Sequence, residues 1–340
     1  MDQLAALSDA LGAYLSRVEP AADDEDERWR AARRRTLLVA LLYAAWYIYS
    51  QRATTAAALW GHRYSAYFAA AVCRAIGLAC GLTFAVKFDK EGGLDAQDRG
   101  LVAAVGPHGV FPLAMLGFGA FKFRRDCGFG EPGLVELNAR FAGASVVFKV
   151  PIIRELLLLM GVRDANRQTL RRLIEAGHTI AIQPGGVFEM VMCDSRQEAL
   201  FFQRSLGFVR LAMEMGRPLL PAYSFGENQL FDAQGPSEWR LWVAKKLRVG
   251  LPFFYGRWGL PLCLAPKKTD VTFVVGRPVP TGPPNPNPTD AEVEAVFERY
   301  ADEMCRLFVR NAPKYLPPEI AARGLELHRI GHGVVRHARL

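Results

Sequence analysis

Cysteine is scarce in this 340-residue chain, and its distribution suits neither a disulfide framework nor a zinc site. The six cysteines are scattered without a CxxC pair, as Cys73, Cys80, Cys127, Cys193, Cys263 and Cys305. A chain of this length does not need disulfides to fold, and zinc ligands are closely spaced in sequence. We therefore expect reduced thiols in a chain that faces the cytosol, with no metal site.

We expect no secretory signal in this chain, and the sequence also lacks an internal repeat and any low-complexity segment beyond a proline-rich hinge at 280–288. Residues 1–35 form a polar lead instead, with an acidic run at 23–27 and five arginines between 28 and 35. This composition does not resemble a cleaved leader. We treat residues 1–35 as a separate segment of the chain.

Positive charge is in excess, with 42 lysines and arginines against 34 aspartates and glutamates and an isoelectric point near 9.3. A basic protein attracts anionic partners such as nucleic acid, anionic lipid or a phosphorylated ligand like coenzyme A. No zinc-finger spacing and no basic-aromatic repeat is present, so nucleic acid is not expected. Anionic lipid and a phosphorylated ligand remain.

Two apolar runs follow the polar lead, at 37–49 and at 64–86, and only Arg74 interrupts the second. The first is shorter than a membrane span, and the second is long enough to be one. We predict a membrane hairpin at 36–86 and a catalytic domain at 87–340. A patch lying in the membrane interface and a pair of buried core helices are the alternatives for 36–86.

Short apolar runs alternate with helical patterns along the rest of the chain. Strands are predicted at 101–105, 144–150, 178–182, 218–224 and 271–275, and helices at 152–160, 166–175, 198–215 and from the capping box at 289–292 to about 309. This alternation predicts an α/β fold, in which sites lie in loops beyond the strand ends.

The sequence Gly106-Pro107-His108-Gly109 follows the first of these strands. Proline and glycine favour a sharp turn that presents the imidazole, which can accept a proton at physiological pH. A histidine that only caps a strand end is the alternative. The motif makes His108 a candidate general base.

A second turn, Gln183-Pro-Gly-Gly-Val-Phe-Glu189, follows another predicted strand. Its successive glycines can expose backbone N–H groups toward an oxyanion or a phosphate, and Glu189 can orient a histidine or take part in proton transfer. A tight turn before a helix, with Glu189 in the first turn, is the alternative. Ser224 lacks the first glycine of a GxSxG elbow, and nothing marks Cys193 as an activated thiol, so a covalent route is not favoured.

These motifs, taken in order, resemble the type-2 diacylglycerol acyltransferase family, which includes monoacylglycerol and wax-alcohol acyltransferases. The matching stretches cover roughly 35–315 and lie at 107–109, 150–155, 184–189, 207–212 and 220–228. The resemblance implies a glycerolipid-acyltransferase-like mixed sheet flanked by helices, behind an N-terminal membrane hairpin. It implies transfer of an acyl group from acyl-CoA to diacylglycerol, at an endoplasmic-reticulum membrane with the catalytic part in the cytosol, and also at lipid droplets.

The resemblance also assigns roles to residues of this chain. His108 becomes the general base of a direct reaction in a ternary complex, with Glu189 as its partner. The remaining candidates are Pro107, Gly109, Gly185 and Gly186 near the oxyanion, and Arg154, Arg167 and Arg204 near acyl-CoA. For Arg154 and Arg167 a buried ion pair is an equal alternative. Acyl-CoA is a co-substrate, so no cofactor is expected, and self-association is left open.

Three positions depart from the family pattern. Gly106 replaces the first histidine of His-Pro-His-Gly, Gln183 replaces an acidic residue before Pro-Gly-Gly, and Leu113 stands where the wider superfamily has an aspartate. The base itself is retained. A monoacylglycerol, a long-chain alcohol or a lysophospholipid as acceptor, and a catalytically inactive lipid-binding scaffold, remain as alternatives.

Overall fold

The fold was analysed on a computed structural model of the chain. The structure describes residues 25–56, 77–79, 81–88, 100–113, 139–233 and 252–340, together with residues 13, 75, 235, 242 and 246. The chain divides into two compact units, residues 1–52 and 53–340.

The first unit contains a 25-residue helix, α1 (Glu25–Tyr49), which is followed by a 3₁₀ segment at Ser50–Thr55. Helix α1 crosses the boundary predicted at residue 35, since the charged end of the lead and the first apolar run lie in one helix. Within the described ranges, no helix combines the length and the apolar character that crossing a membrane requires. This finding does not support the predicted membrane hairpin, of which residues 57–74 lie outside the described residues.

The second apolar run ends in a strand of the second unit, and residues 64–74, 76 and 80 of the run lie outside the described residues. Gly81 has a φ of 61° and its N–H donates to the Leu78 carbonyl at 2.9 Å, while the Leu82 N–H donates to the Gly77 carbonyl at 2.8 Å. This pair of bonds is the Schellman arrangement that ends a helix. Strand β1 (Thr83–Phe88) begins at once, within the segment predicted as the end of the hairpin.

The second unit alternates strands and helices. Its strands are β1 (Thr83–Phe88), β2 (Val102–Gly106), β3 (Arg140–Gly143), β4 (Val162–Asp164), β5 (Ile180–Ile182), β6 (Glu198–Phe202), β7 (Leu219–Phe225), β8 (Asp232–Ala233), β9 (Phe254–Tyr255), β10 (Asp270–Val275), β11 (Leu325–Arg329) and β12 (Gly333–Ala338). Its helices are α2 (Ile153–Leu159), α3 (Arg167–Glu175), α4 (Gly186–Met192), α5 (Gly207–Glu214), α6 (Asp290–Tyr315) and α7 (Pro318–Ala321).

Seven of the described strands form the main sheet, in the order β1-β10-β7-β2-β5-β3-β4. The five strands β7, β2, β5, β3 and β4 are parallel, and β10 is antiparallel to β7 but parallel to β1. Strands β6, β11 and β12 form a smaller sheet, and β8 pairs with β9. The predicted mixed sheet flanked by helices is confirmed.

Strand β2 is buried on both faces, as expected for a central strand of a parallel sheet. Val102 and Ala104 belong to one apolar cluster, which includes the long helix α6, and Ala103 and Val105 belong to the other. Side chains alternate across a strand, so an unbroken apolar run fills both cores. This burial holds the end of β2 rigidly.

Most of the predicted elements are confirmed within one or two residues at their ends, but the helix predicted to end near 309 continues to Tyr315. Two are wrong. Residues 144–150 form a turn and a 3₁₀ segment, whereas the strand itself, β3, precedes them. The helix predicted at 198–215 is divided into β6 and α5 at Leu206, which has a φ of 47° and therefore cannot continue either element.

Candidate active site

Three loops meet at one edge of the main sheet because three adjacent parallel strands, β7, β2 and β5, end there. Strand β2 leads into His108, β5 leads into the 183–189 turn, and β7 leads into Glu227. Carboxyl ends of parallel strands lie at the same edge, which is where sites form in α/β sheets. The structure thus brings the two predicted motifs together.

His108 is partly buried, and its backbone and ring have different partners. The backbone N–H donates to Glu189 Oε1 at 2.9 Å, and ring atom Nδ1 lies 3.2 Å from the Gly109 carbonyl oxygen. A carbonyl oxygen only accepts, so this contact assigns the proton to Nδ1 and leaves the lone pair on Nε2. Burial lowers the pKa of His108, which keeps the ring neutral and basic at physiological pH.

Glu189 is buried next to the His108 loop and fixes the backbone of that loop by accepting the His108 N–H. Burial raises the pKa of Glu189 to about 8, although hydrogen bonds from the backbone N–H groups of His108 and Phe201 act in the opposite direction. The charge of Glu198 raises the pKa further. Glu189 therefore contacts the backbone of His108, whereas the Gly109 carbonyl orients the ring.

The two glycines of the turn serve different purposes. A Cβ on Gly185 would lie 2.3 Å from Glu189 Oε2 and 2.6 Å from the Phe201 carbonyl oxygen, so only glycine fits there. Gly186 has a φ of 53°, and its N–H donates to the Gln183 carbonyl at 3.0 Å. That N–H is engaged within the turn, and the oxyanion role of this segment remains a prediction.

A second carboxylate, that of Glu227, was not among the predicted site residues. It is buried, accepts the Leu113 N–H at 2.8 Å and accepts the Ser224 hydroxyl at 3.3 Å. A Cβ on Gly109 would lie 2.9 Å from Glu227 Cγ. Glu227 thus fixes the far end of the His108 loop, and it does so at position 113, where the superfamily aspartate is missing.

Glu198 forms a further buried network behind the loops. It accepts Tyr223 Oη–H at 2.5 Å, Asn228 Nδ2–H at 3.0 Å and Gln229 Nε2–H at 2.8 Å, and burial raises its pKa. Cys193 donates to Asn228 Oδ1 at 3.5 Å. Burial and the neighbouring carboxylates raise the thiol pKa well above its ordinary value, so Cys193 is a protonated thiol and not a nucleophile.

The structure shows a role for the family-like string at 220–228. It supplies Tyr223, Glu227 and Asn228, and two of these contact Glu198 of β6. No role was predicted for this string. In the structure its polar side chains satisfy two buried carboxylates. The described residues bring together no set of three acidic, histidine or cysteine side chains with the geometry of a metal site.

Gly106 has a packing reason for its departure from the family pattern. A Cβ at this position would lie 2.2 Å from Cδ2 of Leu200, which is itself buried in β6. Core side chains at this density cannot move aside freely. Position 106 therefore holds no side chain because Leu200 occupies that space.

The three predicted acyl-CoA arginines lie in different environments. The guanidinium of Arg154 is fully buried and donates to Glu155 Oε1 through Nη2 at 2.7 Å, which fits the ion-pair alternative. Arg167 is 62% exposed at its side chain and pairs with Glu214. Arg204 is exposed, and its backbone carbonyl accepts Arg329. Only Arg167 and Arg204 are accessible to a ligand.

Arg167 follows β4 at the same sheet edge as the loops that carry His108 and Glu189. Strands β2 and β4 are three positions apart in the sheet. At about 4.8 Å per strand, this places their ends about 14 Å apart. Such a separation suits a residue that contacts a distant part of a long ligand.

Comparison with known proteins gives a consistent result. The family model described as diacylglycerol acyltransferase matches residues 33–321. Diacylglycerol O-acyltransferase 2 of Rattus norvegicus is 31% identical over 236 residues, which cover 62% of this chain and 58% of that protein. The Xenopus laevis protein of the same name is 30% identical and covers 69% of this chain and 67% of that protein.

A third relative, 2-acylglycerol O-acyltransferase 3 of Homo sapiens, is 33% identical over 62% of this chain and 64% of that protein. The part of the rat protein that this chain matches is 58% of that protein's length. Among solved structures, the 1-acyl-sn-glycerophosphate acyltransferase PlsC of Thermotoga maritima covers 78% of this chain and 89% of that one, at 14% identity. Its TM-score of 0.41 is too low to support an argument.

Proposed function

The chain belongs to the diacylglycerol acyltransferase family, and we propose that it transfers a fatty acyl group from acyl-CoA to the hydroxyl of a glycerolipid. The observation that carries the proposal is a neutral imidazole at the carboxyl edge of the sheet. His108 has its Nδ1 proton directed at a backbone carbonyl and its Nε2 lone pair available. This is the arrangement that a general base requires.

The reaction proceeds by direct attack. Nε2 of His108 accepts the hydroxyl proton while the hydroxyl oxygen attacks the thioester carbon, and a tetrahedral oxyanion forms. The C–S bond then breaks, CoA leaves as a thiolate, and the imidazolium returns its proton to the thiolate or to solvent. A base in this role contributes about 10²–10⁴-fold to the rate.

The acceptor we propose is diacylglycerol, which would give triacylglycerol. The names of the relatives support this choice, since several are diacylglycerol O-acyltransferases. One relative is named a 2-acylglycerol O-acyltransferase, so monoacylglycerol is the second candidate. A long-chain alcohol and a lysophospholipid are further acceptors for the same chemistry.

We also propose that the protein works at the endoplasmic-reticulum membrane with its catalytic unit in the cytosol, and at lipid droplets. Diacylglycerol and its product reside in membranes. In the first unit, the second half of α1 exposes large apolar side chains, which suits contact with lipid: Leu37, Val39, Leu41, Trp46, Ile48 and Tyr49. Arg167 and Arg204 are proposed to contact the phosphates of acyl-CoA, because both are exposed.

The base is tested with a His108→Ala variant of the full chain in detergent or vesicles. Labelled acyl-CoA is offered with diacylglycerol, monoacylglycerol, a fatty alcohol or a lysophospholipid. We expect ester formation to fall by about 10²–10⁴-fold at unchanged protein level. His332→Ala, which removes an exposed histidine near the C-terminus, is the control.

Full turnover by the His108 variant would refute its role as the base. Absence of acyl-CoA consumption by the wild-type protein with every acceptor would instead favour the lipid-binding scaffold. The pattern across the four acceptors decides between diacylglycerol and the other substrates. The outcomes therefore separate the base, the activity and the acceptor.

A further inference from the structure

A loop at residues 252–266, called the apolar loop below, directs large apolar side chains into solvent. Trp258 is 75% exposed, Leu262 is 57% exposed and Leu264 is 72% exposed, and Leu260 is exposed beside them. Single exposed apolar residues are common, but a cluster of this size on one loop marks an interaction surface.

The apolar loop is closed by its own backbone hydrogen bonds. The Arg257 N–H donates to the Ala265 carbonyl at 2.8 Å, and the Leu262 N–H donates to the Phe254 carbonyl at 2.9 Å. A Cβ on Gly256 would lie 2.1 Å from the Cys263 carbonyl oxygen, so the two sides are in close contact. The exposed side chains are thus held in place by a defined structure.

Two of the exposed residues adopt a backbone conformation that is unfavourable for them. Trp258 has a φ of 65° and Leu262 has a φ of 54°. Glycine or asparagine ordinarily occupies such positions. A small residue at these positions would give a more stable and more soluble loop. The presence of large apolar side chains there indicates that these side chains have a binding role.

The base of the apolar loop packs on the catalytic loop. The Phe254 ring contacts the rings of Phe111 and Phe231, with centroids 5.3 Å and 5.0 Å apart. Phe111 is three residues beyond His108 in the same loop. Whatever binds the exposed tip is therefore brought close to the candidate active site.

The charge of this region suits an anionic surface. Residues 239–269 contain seven lysines and arginines and no aspartate or glutamate. Within the apolar loop, the Arg257 guanidinium lies 5.8 Å from the centre of the Trp258 ring. Tryptophan beside basic residues is typical of the level of lipid headgroups, where the ring is half buried and the cation meets phosphate.

We propose that the apolar loop inserts into the surface of a phospholipid bilayer that carries anionic headgroups. Trp258, Leu262 and Leu264 enter the acyl-chain boundary, while Arg257 and the exposed Lys268 contact the headgroups. The inference deepens the proposed function, because it names the surface that holds the His108 loop against the source of the lipid acceptor. Binding to vesicles can nevertheless be measured without turnover.

The first test uses the purified full chain and a Trp258→Gly/Leu262→Gly variant, with vesicles of phosphatidylcholine alone or with phosphatidylserine. We expect the variant to partition at least about tenfold less, because two apolar side chains are lost. Glycine tolerates positive φ, so the thermal midpoint in detergent should not fall. Val334→Ser/Val335→Ser, which alters exposed valines of β12, is the control and should bind normally.

The second test places a photoreactive benzoylphenylalanine at position 258 or at position 334. We expect lipid adducts from position 258 and none from position 334. An adduct from 258 to a second copy of the chain, or vesicle partitioning that is unchanged in the glycine variant, would overturn the inference. The His108→Ala variant should bind vesicles normally, so loss of binding and loss of the proposed chemistry are distinguishable.

Discussion

The most specific prediction concerns Glu189 and the dependence of stability on pH. The carboxyl has a pKa of about 8 in the folded protein, against 4.5 for the exposed group. Between these values the folded chain holds a proton that the unfolded chain has released. Stability contributed by this group is therefore fully present below pH 4.5 and is lost as the pH rises through 8.

The size of the effect follows from the interval between the two pKa values. At about 1.4 kcal/mol per pH unit, that interval amounts to about 5 kcal/mol over the full range. About 3.5 kcal/mol of this falls between pH 5 and pH 8, where most proteins can be studied. Glutamine has the shape of the protonated acid and can still accept the His108 N–H, but it does not titrate.

We therefore expect Glu189→Gln to be as stable as the wild type, or less stable by the worth of one hydrogen bond, about 1 kcal/mol, near pH 5. Near pH 8 it should be the more stable protein. The assay is urea unfolding followed by tryptophan fluorescence from pH 5 to pH 9. Glu175→Gln, which alters an exposed glutamate at the end of α3, is the control. Parallel stability curves for wild type and Glu189→Gln would refute the reasoning.

Three further predictions address the site. Glu227→Ala should lower kcat by at least about tenfold, because the Leu113 N–H loses its acceptor and the His108 loop loosens. Glu227→Gln should retain more of the rate. Steady-state kinetics measure both effects, and equal rates for both variants and the wild type would contradict the prediction. Gly106→Ala should destabilise the fold by about 1–3 kcal/mol, because the added Cβ would contact Leu200 too closely. Adding Leu200→Ala should relieve that overpacking, although it opens a cavity. Thermal unfolding of both variants measures these effects, and an unchanged thermal midpoint for Gly106→Ala would contradict the prediction. Because burial lowers the pKa of His108, the acid limb of kcat/KM should lie below pH 6.5, and a limb at or above that value would exclude the buried neutral ring as the base.

The sequence allowed the central part of the site to be predicted. Strand β2 was recognisable because an unbroken apolar run is typical of a strand buried on both faces. His108 and the 183–189 turn each follow such a run, so a parallel sheet necessarily brings them to one edge. Their contact, in which the Glu189 carboxyl group accepts the His108 N–H, agrees with that expectation.

The buried carboxylates could not be predicted in the same way. Glu198 and Glu227 are charged residues, and sequence patterns ordinarily place such residues on the surface. Their burial depends on hydrogen bonds from Tyr223, Ser224 and Asn228, which only the folded chain brings into position. The prediction of a helix at 198–215 was wrong for a related reason. Strand β6 forms because it pairs with β11, which lies more than a hundred residues later in the sequence.

The placement of the carboxylates changes how the missing aspartate at position 113 should be understood. An aspartate there would act on the imidazole ring through its own loop. In this chain the ring is oriented by the Gly109 carbonyl, and the two ends of the loop are fixed through backbone N–H groups by Glu189 and Glu227. A backbone carbonyl can hold the ring only if the loop itself is rigid. In this chain the proposed base is therefore positioned through two buried carboxyl groups below its loop, and Leu113 is free to be apolar.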